Sequence, residues 1–320
     1  MKIAFRHVPF TKAQRTELDA LAASKGYETL WCGADAPDAA DLQDCEVLMG
    51  YFPPDLLAKL PALQWVQTSS AGVDTLCGVA YPNDDVVLTN CSGAFGIAIS
   101  EYLTTGLLML LRHMPLYLDN QRKRLWAQGP ACGSIYGSRI TVVGLGNIGS
   151  EFAKRMTAFG ANVTGVCRTR SKCPSWFPAE NVVLSEQLEA AVADADVVAC
   201  CLPGTPQTAG MISERVIAAM KNGALLLNVG RGATVDEAAL VRALENGKLG
   251  GAVLDVAQVE PLPQTSKLWT LPNVIVTPHI SGRNDDPINA LLIYEIFREN
   301  LAHYLASEPL THVVNRKQGY

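Results

Sequence analysis

Arg139-Ile140-Thr141-Val142-Val143-Gly144-Leu145-Gly146-Asn147-Ile148-Gly149 is a short β-branched run that breaks into G-x-G-x-x-G and continues into an amphipathic segment. Each glycine in it has a physical job. Gly144 permits a tight turn off the strand, Gly146 lets backbone approach a pyrophosphate, and Gly149 allows the following helix to pack on the sheet. The helix start then offers unpaired N–H groups and a positive dipole end to phosphate oxygens. A bare G-x-G-x-x-G is a weak signal, but its flanks agree here. Ile148, Phe152, Met156 and Phe159 recur on one helical face, and Ala161-Asn162-Val163-Thr164-Gly165-Val166 supplies the next strand. The stretch predicts a dinucleotide-binding βαβ unit, with Gly144, Gly146, Asn147, Ile148 and Gly149 against the cofactor.

The rest of the chain alternates in the same rhythm. Before the glycine turn, candidate strands are 2–7, 28–32, 47–50, 65–67 and 86–89, with helices such as 11–25 and 54–59 between them. Residues 92–126 read as one or two long helices. After the turn, strands are expected at 140–143, 162–166, 197–201, 224–228, 251–255 and 274–277, and a final helix at 287–306. The pattern predicts an α/β protein of two doubly wound parallel sheets, with ligands in a cleft between the domains. With 320 residues the chain is long enough for two domains.

Composition excludes several other classes. The chain is 48% hydrophobic and 18% charged, as soluble globular proteins are, and its net charge of −5 speaks against nucleic acid or an anionic membrane as partner. No apolar run reaches the roughly eighteen residues of a membrane span, and Arg6 and His7 interrupt any signal-peptide core. Nine cysteines without C-x-x-C or metal spacing suggest reduced thiols in a cytoplasmic setting and no metal site.

In dinucleotide folds an acidic residue after the second strand binds the adenine-ribose hydroxyls, whereas arginine there attracts a 2′-phosphate. The second strand here ends Val166-Cys167-Arg168-Thr169-Arg170-Ser171-Lys172, with cations and hydroxyls and no carboxylate. Arg168, Thr169 and Arg170 suit NADPH (NADP), with NAD as the lesser alternative. The bland alternative is a solvated basic turn.

Three later segments each follow a strand: Leu227-Asn228-Val229-Gly230-Arg231-Gly232, Leu254-Asp255-Val256-Ala257-Gln258-Val259-Glu260-Pro261, and Val276-Thr277-Pro278-His279-Ile280-Ser281. Strands of one parallel sheet bring such segments to its carboxyl edge. Arginine can hold a carboxylate bidentately and polarise a neighbouring carbonyl; histidine can deliver a proton to the oxygen as hydride reaches carbon. A glutamate beside that histidine favours the imidazolium form. Taken alone, each residue is as readily structural: a cap, a turn or a core histidine.

Taken together with Ser70-Ala71-Gly72-Val73-Asp74, Asn90, Ser100-Glu101, Leu202-Pro203-Gly204-Thr205-Pro206-Gln207-Thr208 and Gly319-Tyr320, these motifs resemble the D-isomer-specific 2-hydroxyacid dehydrogenases over nearly the whole chain. That group includes the glyoxylate/hydroxypyruvate reductases and phosphoglycerate dehydrogenase. The resemblance implies a Rossmann cofactor domain, 99–285, inserted in a flavodoxin-like substrate domain, 1–98 with 286–320. It implies Arg231 on the substrate carboxylate, His279 as acid/base with Glu260 as its partner, and Asp255 near the nicotinamide carboxamide. It further implies cofactor contacts at Leu202, Pro203, Thr208, Val229, Gly230, Arg231 and His279. The Ala71-Gly72-Val73 N–H groups would form a nest for the carboxylate of a small-molecule 2-keto or 2-hydroxy acid. Members are usually homodimers. Tyr51, Phe52 and Phe95 become candidate pocket residues by that resemblance, and are equally plausible as core aromatics. Three departures stand out: Cys167 where many NAD-using relatives have aspartate, Ala257-Gln258 for Phe-Glu, and Arg283-Asn284-Asp285-Asp286 after His279. A dehydrogenase of another small anion, formate- or phosphite-like, and a dinucleotide-sensing dimeric interaction protein remain as alternatives.

Overall fold

The computed structural model describes residues 1–33, 35, 37–170 and 173–319. Ser171 and Lys172 of the basic turn, and the terminal Tyr320, lie outside the described residues. The chain divides into two compact units, Met1–Phe95 joined by the segment from Gly282 onward, and Gly96–Ser281.

The first unit carries β1 (Lys2–Arg6), α1 (Lys12–Ala23), β2 (Glu28–Trp31), β3 (Cys45–Gly50), α2 (Pro54–Leu57), β4 (Trp65–Gln67), α3 (Asp74–Cys77) and β5 (Val87–Thr89). Its strands lie in the order β2-β1-β3-β4-β5, every neighbouring pair parallel. This is the 2-1-3-4-5 order of flavodoxin-like sheets. Helix α1 starts where it does because Thr11 and Gln14 form a reciprocal capping box. The last helix, Pro287–Ala306, belongs to this unit: Phe297 packs edge-on against Phe10, and buried Asn300 donates to Gln67 Oε1 at 2.8 Å. An amide whose oxygen and nitrogen are both engaged under the sheet locks the returning chain in one register.

The second unit opens on α4 (Gly96–Leu111) and α5 (Met114–Arg122), separated by His113 in the left-handed region at φ +52°. It continues through β6 (Arg139–Val143), α6 (Asn147–Ala158), β7 (Asn162–Cys167), β8 (Val182–Leu184), α7 (Leu188–Ala193) and β9 (Val197–Cys200). Then come α8 (Glu214–Ala219), β10 (Ala224–Asn228), α9 (Glu237–Glu245), β11 (Leu249–Leu254) and β12 (Val274–Val276). The seven-stranded sheet runs β12-β11-β10-β9-β6-β7-β8, all parallel. That is the Rossmann order with a seventh strand added, and its reversal point lies between β6 and β9. Strand β10, Ala-Leu-Leu-Leu-Asn, is buried throughout because helices cover both faces of a parallel sheet.

Two readings of the sequence need correction. Strand β8 has no counterpart among the expected strands; it pairs with β7 at the edge of the sheet. The unit boundaries also fall earlier than 98/99 and 285/286. Helix α4 starts at Gly96 and goes whole with the second unit, because it packs on α6 and sets Gly106 against Val253. At the far end Ser281 stays with the second unit because its N–H donates to Asp255 Oδ2 at 2.9 Å.

Candidate active site

All the candidate loops of the second unit follow the carboxyl ends of its strands. After β6, Gly144 sits at φ +100° and its N–H donates to Val166 O at 2.8 Å. A Cβ there would stand 2.9 Å from Cys201 O. On Gly149 a Cβ would meet Gly144 O at 2.0 Å, so the first turn of α6 touches the end of the strand it follows. Gly146 is different: a Cβ there would find no heavy atom within 4 Å. This is open room beside the N-terminus of a twelve-residue helix whose N-cap makes no side-chain capping bond. The three glycines thus divide into turn, opening and contact, and the opening fits a pyrophosphate approaching backbone N–H groups. The Asn147 side chain is turned towards Gly96, where an added Cβ would stand 2.4 Å from Oδ1.

After β7, Arg168, Thr169 and Arg170 are exposed. Arg170 Nη1 donates to Ala179 O at 3.0 Å, which anchors one corner of its guanidinium. After β9, Thr208 Oγ1 donates to Pro203 O at 2.6 Å and lies 2.9 Å from Thr205 N, folding residues 203–208 into a compact turn. Gly230 presses on this loop, since a Cβ would lie 2.4 Å from Leu202 O, and Val229 N–H donates to Cys200 O.

Arg231, Glu260 and His279 follow β10, β11 and β12, three consecutive neighbours of the sheet. Arg231 caps a short 3-10 turn, its carbonyl accepts from Asn228 Nδ2 and Thr234 Oγ1, and its Nη1 donates to Gly230 O at 2.9 Å. The next residue, Gly232, fits so tightly on Ala257 that a Cβ would lie 1.8 Å from its carbonyl oxygen. The arginine loop is thereby seated against the loop that carries Glu260. His279 Nδ1 lies 2.9 Å from Glu260 Oε2, and Glu260 Oε1 accepts from Ala257 N–H at 3.1 Å. A carboxylate on Nδ1 leaves Nε2 as the working nitrogen. Both side chains are partly exposed, at 49% and 39%.

Asp255 is only 1% exposed and serves the same loop from beneath. Its Oδ1 accepts from Thr277 Oγ1 at 2.6 Å and from Ile280 N–H at 2.9 Å, and its Oδ2 from Ser281 N–H. Its carbonyl accepts from His279 N–H at 2.9 Å. His279 has φ +54°, a left-handed conformation that a non-glycine residue keeps only when its surroundings hold it. Asp255 supplies that hold. Tyr102 of α4 stands 2.5 Å from Thr277 Oγ1, whose proton is committed to Asp255, so the tyrosine hydroxyl donates. Burial, with the Asp255 charge adding to it, pushes the Tyr102 hydroxyl up to about 12, so it remains a donor at neutral pH. No sequence signal marks Tyr102, because its partner lies in a strand end 175 positions away. A cavity of about 410 Å³ lies against Asp255, Ala257, Glu260, Trp269 and His279.

In the first unit the Ala71 carbonyl accepts from Asn90 Nδ2 at 2.9 Å and the Gly72 carbonyl from Ser70 Oγ at 2.7 Å. These bonds shape the 71–73 segment that leads into α3. Asn284, one of the departures in sequence, donates from Nδ2 to Ser69 Oγ at 3.1 Å and braces the same loop. Phe52 and Phe95 are 2% and 5% exposed, the core alternative of their two readings; Tyr51 is half exposed. Among the described residues no group of three or more histidine, cysteine or acidic side chains is placed to hold a metal ion, and no helix is long and apolar enough to cross a membrane.

Residues 104–281 match the family described as D-isomer specific 2-hydroxyacid dehydrogenase, NAD binding domain. The chain belongs to this family. Among its dehydrogenase relatives, D-3-phosphoglycerate dehydrogenase of Bacillus subtilis is 36% identical over 71% of this chain, but the match spans only 43% of that longer protein. Glyoxylate/hydroxypyruvate reductase A of Salmonella typhi is 34% identical over 70% of each chain. Two solved dehydrogenase structures align over the full length. One, from Xanthobacter autotrophicus, is in complex with NADPH and MES (28% identity, TM-score 0.81, 100% and 99% of the two chains). The other is an NADPH-dependent glyoxylate/hydroxypyruvate reductase from Sinorhizobium meliloti in complex with NADP and sulfate (26%, TM-score 0.80, 100% of both).

Proposed function

We propose that the chain is an NADPH-preferring reductase of small 2-keto acids, yielding D-2-hydroxy acids. The observation that carries this reading is the 2.9 Å pairing of His279 Nδ1 with Glu260 Oε2, in the same row of strand-end loops as Arg231 and the glycine turn. Relatives named as glyoxylate/hydroxypyruvate reductases support the substrate class.

Gly144, Gly146 and Gly149 with the α6 N-terminus hold the pyrophosphate, and the Leu202–Thr208 and Val229–Gly230 loops flank it. Arg168 and Arg170 take the 2′-phosphate. The bound dinucleotide supplies the hydride. Arg231 binds the substrate carboxylate and polarises the keto oxygen, and His279 Nε2 passes a proton to that oxygen. Glu260 orients the imidazole through its Nδ1, and Asp255 keeps the histidine loop in its left-handed turn. The Ala71-Gly72-Val73 segment is assigned to carboxylate binding. Initial rates of NADPH and NADH oxidation with glyoxylate, hydroxypyruvate, pyruvate and phenylpyruvate test the reading. NADPH-linked turnover with the smaller acids is expected; folded protein that binds NADPH and reduces none of them overturns it.

The cofactor preference has its own test. Arg168→Asp puts an anion where the 2′-phosphate is to sit, and the NADPH-to-NADH ratio of kcat/KM should fall about 100-fold or more, as one charge-assisted contact becomes a repulsion while Arg170 remains. An unchanged ratio makes the basic turn ordinary surface.

The homodimer is proposed on an exposed apolar stretch. Trp126 is 103% and Tyr136 81% exposed, and Leu116 and Leu118 of α5 are about 40% exposed. Light scattering should give twice the 34.3 kDa chain mass. A monomer at micromolar concentration rejects the dimer.

A further inference from the structure

We propose that Cys167 and Cys173 are a reversible thiol–disulfide pair, oxidised by a low-molecular-weight disulfide, whose closure weakens NADPH binding at the turn they bracket. The effect on NADPH rests on the cofactor reading above; the thiol chemistry does not.

Cys167 ends β7, Cys173 lies six residues on, and their Sγ atoms are 2.8 Å apart. Side chains packed merely as neighbours stand about 3.5–4.0 Å apart, and a disulfide measures about 2.05 Å. Closing the bond therefore asks for less than about 1 Å of movement. Among the described residues these are the only two sulfurs within hydrogen-bonding reach of each other. Cys173 N–H also donates to Arg170 O at 3.1 Å. Both cysteines are half-buried, whereas Cys45, Cys91 and Cys200 are enclosed in the core.

The chemistry balances as thiol–disulfide exchange. One cysteine, as thiolate, attacks a sulfur of the small disulfide and expels one small thiol. The second cysteine then displaces the other, so two protein thiols become one S–S bond and the oxidant becomes two thiols. Burial, reinforced by the Cys167 neighbour, pushes the Cys173 thiol up to about 11. Little thiolate is present at neutral pH, so exchange is slow and the pair answers sustained oxidation rather than brief fluctuation.

Position gives the bond its consequence. Arg168, Thr169 and Arg170 lie between the two cysteines, and Arg170 is already tied to Ala179 O. A bond between the two sulfurs tethers the Arg168–Arg170 segment, whose guanidinium groups are the ones proposed to meet a 2′-phosphate. NADH has no phosphate there and is indifferent to the bond.

The test is incubation of the full chain with oxidised glutathione, followed by unreduced tryptic mass spectrometry and titration with NADPH and with NADH. Trypsin cuts after Arg168 and Arg170, so Cys167 and Cys173 part unless they are bonded. A linked peptide pair, two hydrogens lighter than its components and lost on dithiothreitol treatment, is expected in the native chain. It should be absent from both Cys167→Ser and Cys173→Ser. In the oxidised protein the Kd for NADPH should rise about tenfold, the loss of roughly one charge-assisted contact, with the Kd for NADH nearly unchanged. Folded protein that gives no linked pair overturns the proposal, as does a linked pair with an unaltered ratio of the two Kd values. Equal affinity for both cofactors in the reduced protein would instead reject the cofactor reading, and the mass measurement would still decide the thiol pair.

Discussion

His279→Ala should lower kcat by about 10²–10⁴-fold, the share that positioned proton transfer contributes, while NADPH affinity changes little. The split follows from the site's construction. The pyrophosphate opening at Gly146 lies after β6, and the imidazole lies after β12 at the far edge of the sheet. In the proposed reaction, removing the ring takes away the proton donor to the carbonyl oxygen and leaves the glycine turn intact. Alanine keeps the Cβ that makes φ +54° costly, but the loop is held by the backbone N–H bonds of His279, Ile280 and Ser281 to Asp255, which the variant retains, so it should fold. Stopped-flow single-turnover rates with saturating NADPH separate the chemical step from release. A variant that turns over near the wild-type rate removes His279 from the reaction.

Arg231→Ala is expected to reduce kcat/KM by about 10³-fold or more, with KM and kcat both damaged, because in the proposed reaction one guanidinium both grips the carboxylate and polarises the carbonyl. A residue that only binds would raise KM alone. Arg231→Lys restores the charge but not the planar fork, so it should recover only part of the loss. The native side chain is held in place by its own Nη1 bond to Gly230 O, and its loop is seated by Gly232 on Ala257. A lysine lacks that anchoring geometry as well. An Arg231→Ala enzyme with unchanged kcat confines the arginine to binding.

Much of this architecture is legible in one dimension. The glycine turn, the final helix at Pro287–Ala306 and most strands are properties of contiguous residues: a β-branched run, a 3.6-residue period, a proline at a helix start. Strand β8 is set instead by its pairing with β7 at the sheet edge. The 92–126 segment was ambiguous because the break at His113 depends on one left-handed residue with no glycine to announce it.

The chemistry of the site divides in the same way. Residue types and their order in the chain, by themselves, determined the fold class, the glycine roles, the basic character of the cofactor turn and the choice of Arg231, Glu260 and His279. Only the tertiary structure decided that β11 and β12 are neighbours, and hence that buried Asp255 grips Thr277, Ile280 and Ser281 and holds the histidine loop. It also decided that Tyr102 completes this network, that Phe52 and Phe95 are core, and that two cysteines face each other across the basic turn. The physical reason is that a side chain's type and period are local, whereas the partner of a buried polar group is set by which strands pair and in what register.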